Sequence, residues 1–297
     1  MSLALEVKNL SYIFSNGTGV KDLSFQIKRG EIYVLYGCHI TGKTVLLQTL
    51  IGTIIPQSGT IKLFENSNYN QEKSRVGYVP QEPFFIGKMT ISEMLNYFAL
   101  SFGILKCKFE KVLELDLNEN RAVCHLPLSV QRLVNLGIAL LGKPDFILMD
   151  EPFSGLDAHE SDHLLSIISA LNKDRNITFL LTDQHYNTAS QIASKYGVLA
   201  NGKILAELTP SELTKRCDRC VKIRTPQLFK AIPILQKEFS QYEILDDDLV
   251  RVFCPLSYSS KINTLLVSAG VEVSEIWIAG MNPQEYLSKI AGGESID

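Results

Sequence analysis

Two periodicities alternate along the chain from residue 5 to about residue 206. Short apolar runs bounded by turn residues, the mark of buried strands, fall at 23–27, 31–36, 59–64, 76–79, 146–149, 177–181 and 196–200. Between them, apolar positions recur at helical spacing over 42–51, 89–115, 131–142 and 159–172, the last placing Leu164, Leu165, Ile168 and Leu171 on one face. Strands alternating with helices predict an α/β fold on a mainly parallel sheet covered on both faces. After about residue 209 the pattern predicts a strand at 221–224, a helix over 226–239, a hairpin at 242–245 and 250–254, a helix over 259–269, a strand at 271–279 and a last helix over 282–290. That β-α-β-β-α-β order is the order of a small ferredoxin-like α+β sandwich. The expected domains are 1–208 and 217–297, joined near 209–220, with no internal repeat or low-complexity tract.

Composition narrows the class. Of 297 residues, 45% are hydrophobic and 21% charged, enough to bury a core and too apolar for a disordered chain. Lys and Arg number 29 against 32 Asp and Glu, a net charge of −3, so no bulk basic field recruits nucleic acid. No apolar run approaches the roughly 18–20 residues that cross a bilayer. The opening MSLALEVKNL has no basic leader before an apolar block, so no secretory signal is expected and the chain is expected on the cytosolic side. Six cysteines without framework spacing fit a reducing compartment. Cys217 and Cys220 form a lone C-x-x-C with no second ligand pair nearby, and read as incidental thiols.

The chemistry begins at Gly37-Cys38-His39-Ile40-Thr41-Gly42-Lys43-Thr44, which fits G-x-x-x-x-G-K-[ST] between a predicted strand and a predicted helix. Backbone N–H groups and the helix N-terminus offer partial positive charge to phosphate oxygens. Lys43 supplies an ammonium for the β- and γ-phosphates, and the Thr44 hydroxyl is placed to ligate Mg²⁺. The complement is Phe146-Ile147-Leu148-Met149-Asp150-Glu151, an apolar strand delivering two carboxylates at its C-terminal end. Asp150 would hold Mg²⁺ through water and Glu151 would act as general base toward the attacking water.

Together these motifs resemble the ATP-binding subunits of ABC transporters over most of the chain. The resemblance implies a P-loop NTPase cassette: a RecA-like core, a β-subdomain and a helical subdomain over about 82–142. Val79-Pro80-Gln81-Glu82-Pro83 resembles the Q-loop, which makes Gln81 a contact to Mg²⁺ and water and a relay to the membrane subunit. Ser154-Gly155-Leu156-Asp157 resembles the D-loop, and His185 takes the place of the switch histidine at the γ-phosphate. Phe14, or alternatively Tyr12, occupies the place of the aromatic that stacks on adenine. The small C-terminal domain and the ending Asn282-Pro283-Gln284-Glu285-Tyr286-Leu287 with Gly292-Gly293 are similar to exporter ATPases of the bacitracin and lantibiotic self-protection type. ATP and Mg²⁺ are the implied ligands. The implied partners are a polytopic permease and a second cassette, homo- or heterodimeric. The implied place is the inner face of the cell membrane, peripheral, through the permease.

Two motifs depart from the family. Counting back from Ala139–Asp145 puts Leu126, Pro127, Leu128, Ser129 and Val130 where the signature L-S-G-G-Q stands. Pro127 has neither hydroxyl nor N–H, and Leu128 adds bulk where the backbone must approach a phosphate. Ser129 recovers a donor if the loop shifts by two residues. Losing such donors costs on the order of 2–4 kcal/mol of transition-state stabilisation if they behave like oxyanion-hole donors. In the phosphate loop, Ile40 replaces the family's usual glycine and Cys38-His39 the common Pro-Asn. Three functions follow for comparison: an energy-coupling ATPase for export of a drug, peptide antibiotic or lipid-like substrate; a degenerate regulatory cassette with little turnover in a heterodimer; and a non-transport ABC protein acting on DNA or ribosomes. The missing basic field and the absence of tandem cassettes oppose the last.

Overall fold

Ile32–Tyr36, Phe146–Met149 and Thr178–Asp183 are buried at every position, as strands covered on both faces of a parallel sheet must be. The structure is a computed structural model that describes residues 2–37, 41–104, 113–184, 186–217 and 219–292. It divides into two compact units: Met1–Pro210 with Leu287–Asp297, and Ser211–Tyr286.

In the first unit the elements run β1 (Leu3–Ile13), β2 (Gly19–Lys28), β3 (Ile32–Tyr36), α1 (Lys43–Ile51), β4 (Ser58–Leu63), α2 (Tyr69–Glu72), β5 (Val76–Val79), α3 (Ile91–Ser101), α4 (Leu128–Leu141), β6 (Phe146–Met149), α5 (Ala158–Arg175), β7 (Thr178–Asp183), α6 (Tyr186–Ala189), β8 (Lys195–Ala200) and β9 (Lys203–Leu208). A six-stranded sheet has the order β5-β6-β7-β3-β8-β9, parallel except for the antiparallel edge strand β9. A separate antiparallel sheet, β2-β1-β4, closes over α1 through Leu5, Leu10, Leu23, Phe25, Leu46, Leu47 and Leu50, all within one buried cluster. Of the predicted helix over 89–115, Ile91–Ser101 is helical, and 105–112 lies outside the described residues.

Helix ends are set locally. Thr90 caps α3 and Asp157 caps α5, each in a capping box whose Glu, Glu93 or Glu160, reaches back to the cap N–H. α1 starts after Gly42 at φ 99°, a left-handed conformation that suits glycine.

The second unit holds β10 (Cys220–Arg224), β11 (Tyr242–Asp246), β12 (Leu249–Val252) and β13 (Glu275–Ala279), with order β11-β12-β10-β13, all antiparallel. Two of its helices, Leu228–Glu238 and Ser259–Ser268, cover the sheet, and its core joins Val221, Ile223, Val250 and Val252 to Leu228, Leu235, Ile262 and Leu266. The last strand begins at Glu275 rather than 271: Gly270 turns at φ 73°, and 271–274 form a connection that buries Val271. Cys217 and Cys220 are both buried, and no His, Cys, Asp or Glu cluster among the described residues has metal-binding geometry. No described helix is long and apolar enough to cross a membrane.

Candidate functional site

The parallel sheet gathers its chemistry at one edge, because the residues that follow β3, β5, β6 and β7 all leave from its C-terminal side. Tyr36 pairs with Asp183, and Val79 with Met149, so Gly37, Gln81, Asp150, Glu151 and Gln184 emerge close together. The Gly37 N–H donates to the Asp183 carbonyl at 3.2 Å. A Cβ on Gly42 would sit 2.5 Å from the Gly19 carbonyl oxygen, and one on Gly37 2.7 Å from that of Leu199. The loop therefore lies too close to its neighbours for any larger residue at either position.

Lys43 is buried, with its ammonium donating to the Gly37 carbonyl at 2.6 Å and lying 3.3 Å from Glu151 Oε1. The Glu151 carboxylate is approached by two carboxamides as well. Gln81 Nε2 donates to Oε2 at 3.0 Å, and Gln184 Nε2 lies 2.6 Å and 2.7 Å from Oε1 and Oε2. Glu151 itself takes φ 43°, uncommon for a non-glycine residue, and its N–H donates to Thr182 Oγ1 at 2.9 Å. The Thr182 hydroxyl in turn donates a hydrogen bond to Asp150 Oδ1 at 2.6 Å. Asp150 is buried, and burial pushes its carboxyl above the ordinary value; donation from the Thr182 and Thr44 hydroxyls opposes that, and the charge of Glu151 adds to it. The Thr44 hydroxyl and Asp150 carboxylate are hard oxygen donors in contact, the set that suits Mg²⁺ beside a phosphate.

Thr18, Gly19, Thr41, Gly42, Lys43, Thr44, Val45, Gln81, Glu151 and Gln184 line a cavity of about 240 Å³. Phe14 is not in this lining: it is 39% exposed on the β1–β2 hairpin, edge-on to Tyr12 at 4.9 Å, and its N–H bonds to Thr18. A second cavity of about 480 Å³ shares Gln81, Glu151 and Gln184 and continues along Ser154, Gly155 and Leu156. Cys38, His39, Ile40 and His185 lie outside the described residues.

The signature-like segment sits at the start of α4. Leu126 is buried, Pro127 is the N-cap and offers no side-chain cap, and α4 begins with Leu128. Leu128 Cδ2 would be 3.1 Å from a Cβ on Gly155, so the bulk at this position faces the D-loop-like turn. Ser129 Oγ donates to Glu160 Oε1 at 2.6 Å, and Val130 with Ser129 and Pro127 borders a cavity of about 360 Å³.

Sequence reasoning did not single out Thr182, Gln184 or Arg132. Arg132 is buried in α4, donates to the Pro152 carbonyl and lies 3.5 Å from that of Gln81; burial pushes its guanidinium down, while Glu151 and Glu160 hold it up. Its signal was a lone charge in an apolar helix, LSVQRLVNLGIALL. Thr182 and Gln184 were signalled only by sitting just before His185.

Comparison with known proteins agrees with this geometry. The ABC transporter family profile matches residues 20–154. The chain is 28% identical over 305 residues to the bacitracin transport ATP-binding protein BcrA of Bacillus licheniformis, covering all of both chains. It is 31% identical over 207 residues to the uncharacterized ABC transporter ATP-binding protein YxlF of Bacillus subtilis (strain 168), covering 67% of this chain and 69% of that one. Among solved structures, an ATP-binding subunit of an ABC transporter superposes with TM-score 0.62 at 25% identity, covering 71% of this chain and 92% of that one.

Proposed function

The chain belongs to the ATP-binding proteins of the ABC transporter family, and from that premise we propose that it is the ATP-hydrolysing subunit powering a membrane permease that exports a peptide antibiotic or drug. The convergence of Lys43, Thr44, Gln81 and Glu151 on one cavity, with Asp150 bonded to the Thr44 hydroxyl beside it, supports the reading. The triphosphate would lie on the N-terminus of α1, with Lys43 leaving Glu151 for the β- and γ-phosphates. Thr44, Asp150 and the Gln81 carboxamide would hold Mg²⁺, which neutralises charge on the phosphate oxygens. Glu151 would orient and deprotonate the attacking water, and His185 would contact the γ-phosphate. Phe14 is our candidate for the adenine platform.

Likeness to bacitracin transport proteins over the full chain supports export as the direction. Phe84, Phe85, Tyr97, Leu100 and Phe102, each at least 38% exposed, offer the permease an apolar surface on the helical insertion. The protein would then work peripherally at the inner face of the membrane, with 1–208 as the cassette and 217–297 as a ferredoxin-like accessory domain.

A second reading, one weak site in a heterodimer of cassettes, is favoured by the Ser129 bond to Glu160. The segment's one hydroxyl is engaged within its own chain, and Pro127 supplies none. The deciding assay is steady-state ATPase of the full chain, alone and with the membrane protein that co-purifies. Turnover above that of Glu151→Gln is expected, and equal rates in both preparations would defeat hydrolysis by this chain.

A further inference from the structure

We infer that the second unit carries a binding site of its own, on the face of its sheet that Leu228–Glu238 and Ser259–Ser268 leave open, for a small organic monocarboxylate with a planar ring. The site stands apart from the phosphate cavity and does not depend on the ATPase reading.

Strand alternation fixes which side chains share that face. Val221, Ile223, Val250 and Val252 point into the helix-covered core, so Lys222 and Arg251 between them point the other way. Register then lines up Glu243, Arg251, Lys222 and Trp277 as one row across all four strands. In that row Arg251 and Lys222 are direct partners, and like charges placed opposite one another destabilise a sheet. A single acid answers them: Arg251 Nε donates to Glu243 Oε2 at 2.9 Å. Lys222 makes no ion pair among the described residues, and its ammonium lies 5.9 Å from the centre of the Trp277 ring. A local rule broken without compensation inside the chain marks a functional place, and the missing partner here is an anion.

The cavity beside the row says what kind of anion. Lys215, from the helix Pro210–Cys217, joins Tyr242, Glu243, Arg251 and Phe253 around about 580 Å³, a volume suited to a small molecule. Lys215 too has no ion-pair partner among the described residues, so its ammonium is a seat for a carboxylate. The Arg251 guanidinium lies 5.0 Å from the centre of the Phe253 ring. This flat cation and the rings of Phe253 and Tyr242 give a planar body surfaces to stack on. Glu243 repels a second negative charge, which favours a monocarboxylate over a phosphate dianion.

The test titrates benzoate, inorganic phosphate and benzyl alcohol into the full chain at matched ionic strength, with binding read by calorimetry. Benzoate should bind saturably at one site. Phosphate, a charge without a ring, and benzyl alcohol, a ring without a charge, should each bind at least about tenfold more weakly. Lys215→Met keeps the apolar stem and removes the ammonium, so benzoate affinity should fall at least about tenfold while the ATPase rate holds. Benzoate should raise the Tm of wild type and leave that of Lys215→Met unmoved. Lys222→Gln relieves the like-charge pair and should raise the Tm of the ligand-free protein. Four results would each overturn the inference: no saturable benzoate binding, phosphate bound as tightly as benzoate, full benzoate affinity in Lys215→Met, or a ligand-free Lys222→Gln no more stable than wild type. None of them touches the ATPase reading, which the Glu151→Gln comparison decides.

Discussion

Thr182 is a buried hydroxyl that joins both carboxylate residues, and replacing it with valine isolates that job. The side chain is fully buried; it donates to Asp150 Oδ1 at 2.6 Å and accepts the Glu151 N–H at 2.9 Å. Valine has nearly the same shape, so little cavity or overpacking cost enters. Two costs remain. A hydrogen bond to a charged group contributes about 1.5–3 kcal/mol, and a buried N–H left without a partner costs about 1–3 kcal/mol. Together they predict a loss on the order of 2.5–6 kcal/mol, or roughly 5–24 °C in Tm at about 2–4 °C per kcal/mol for a unit of this size. The loss should also grow with pH. Asp150 already titrates above its ordinary value because of burial, and losing a donor raises it further. A buried acid with a raised folded pKa gives up stability as pH climbs through the window between its unfolded and folded values. Thr182→Ser is the control: it keeps both hydrogen bonds and deletes one methyl, worth about 1 kcal/mol. Calorimetry at pH 6 and pH 8, reading the transition that Mg-ATP shifts upward, separates the two variants. Equal Tm values for Thr182→Val and Thr182→Ser would refute this account of the bridge.

The remaining expectations concern neighbouring groups. Asp150→Asn should abolish Mg-dependent ATPase and still raise the Tm of the nucleotide-free protein near neutral pH, since the ionised carboxylate is held against its burial. That gain should shrink as pH falls toward the carboxylate range, where wild type protonates; a constant gap from pH 5 to pH 8 would contradict it. Pro127→Ser places a capping hydroxyl at the bare N-cap of α4 and should add about 1 kcal/mol of stability. Combined with Leu128→Gly it should raise the ATPase of the isolated chain; an unchanged rate would mean that the signature-like segment does not limit turnover.

What could be read from the chain follows from how local each signal is. The phosphate loop and Phe146–Glu151 are legible because each combines an apolar strand with its polar payload inside ten residues, and the sheet carries both to the same edge. Gln81 is legible through family pattern; its contact with Glu151 spans 70 residues and no spacing rule predicts it. Thr182 and Gln184 reach their partners across 31 to 33 residues, through the pairing of β6 with β7, and only the folded register reveals them. The small β2-β1-β4 sheet is harder still. β1 mixes Glu6, Lys8 and Asn9 into its pattern, its ladder carries irregularities, and Asn9 takes φ 50°. In the second unit, Val271 reads as strand because it is apolar, whereas it fills the core from a connection after Gly270.

Glu160 has a further consequence for anyone rebuilding this protein. One of its oxygens receives Ser129 and the other receives the Asp157 N–H, so a single carboxylate ties the start of α4 to the start of α5. The starts of the two helices are thereby yoked, and a displacement of one tugs on the other. A transplanted consensus signature that omits the serine would untie that yoke even while restoring the missing donors. Chimeras should therefore exchange residues 126–130 and 154–160 as one block.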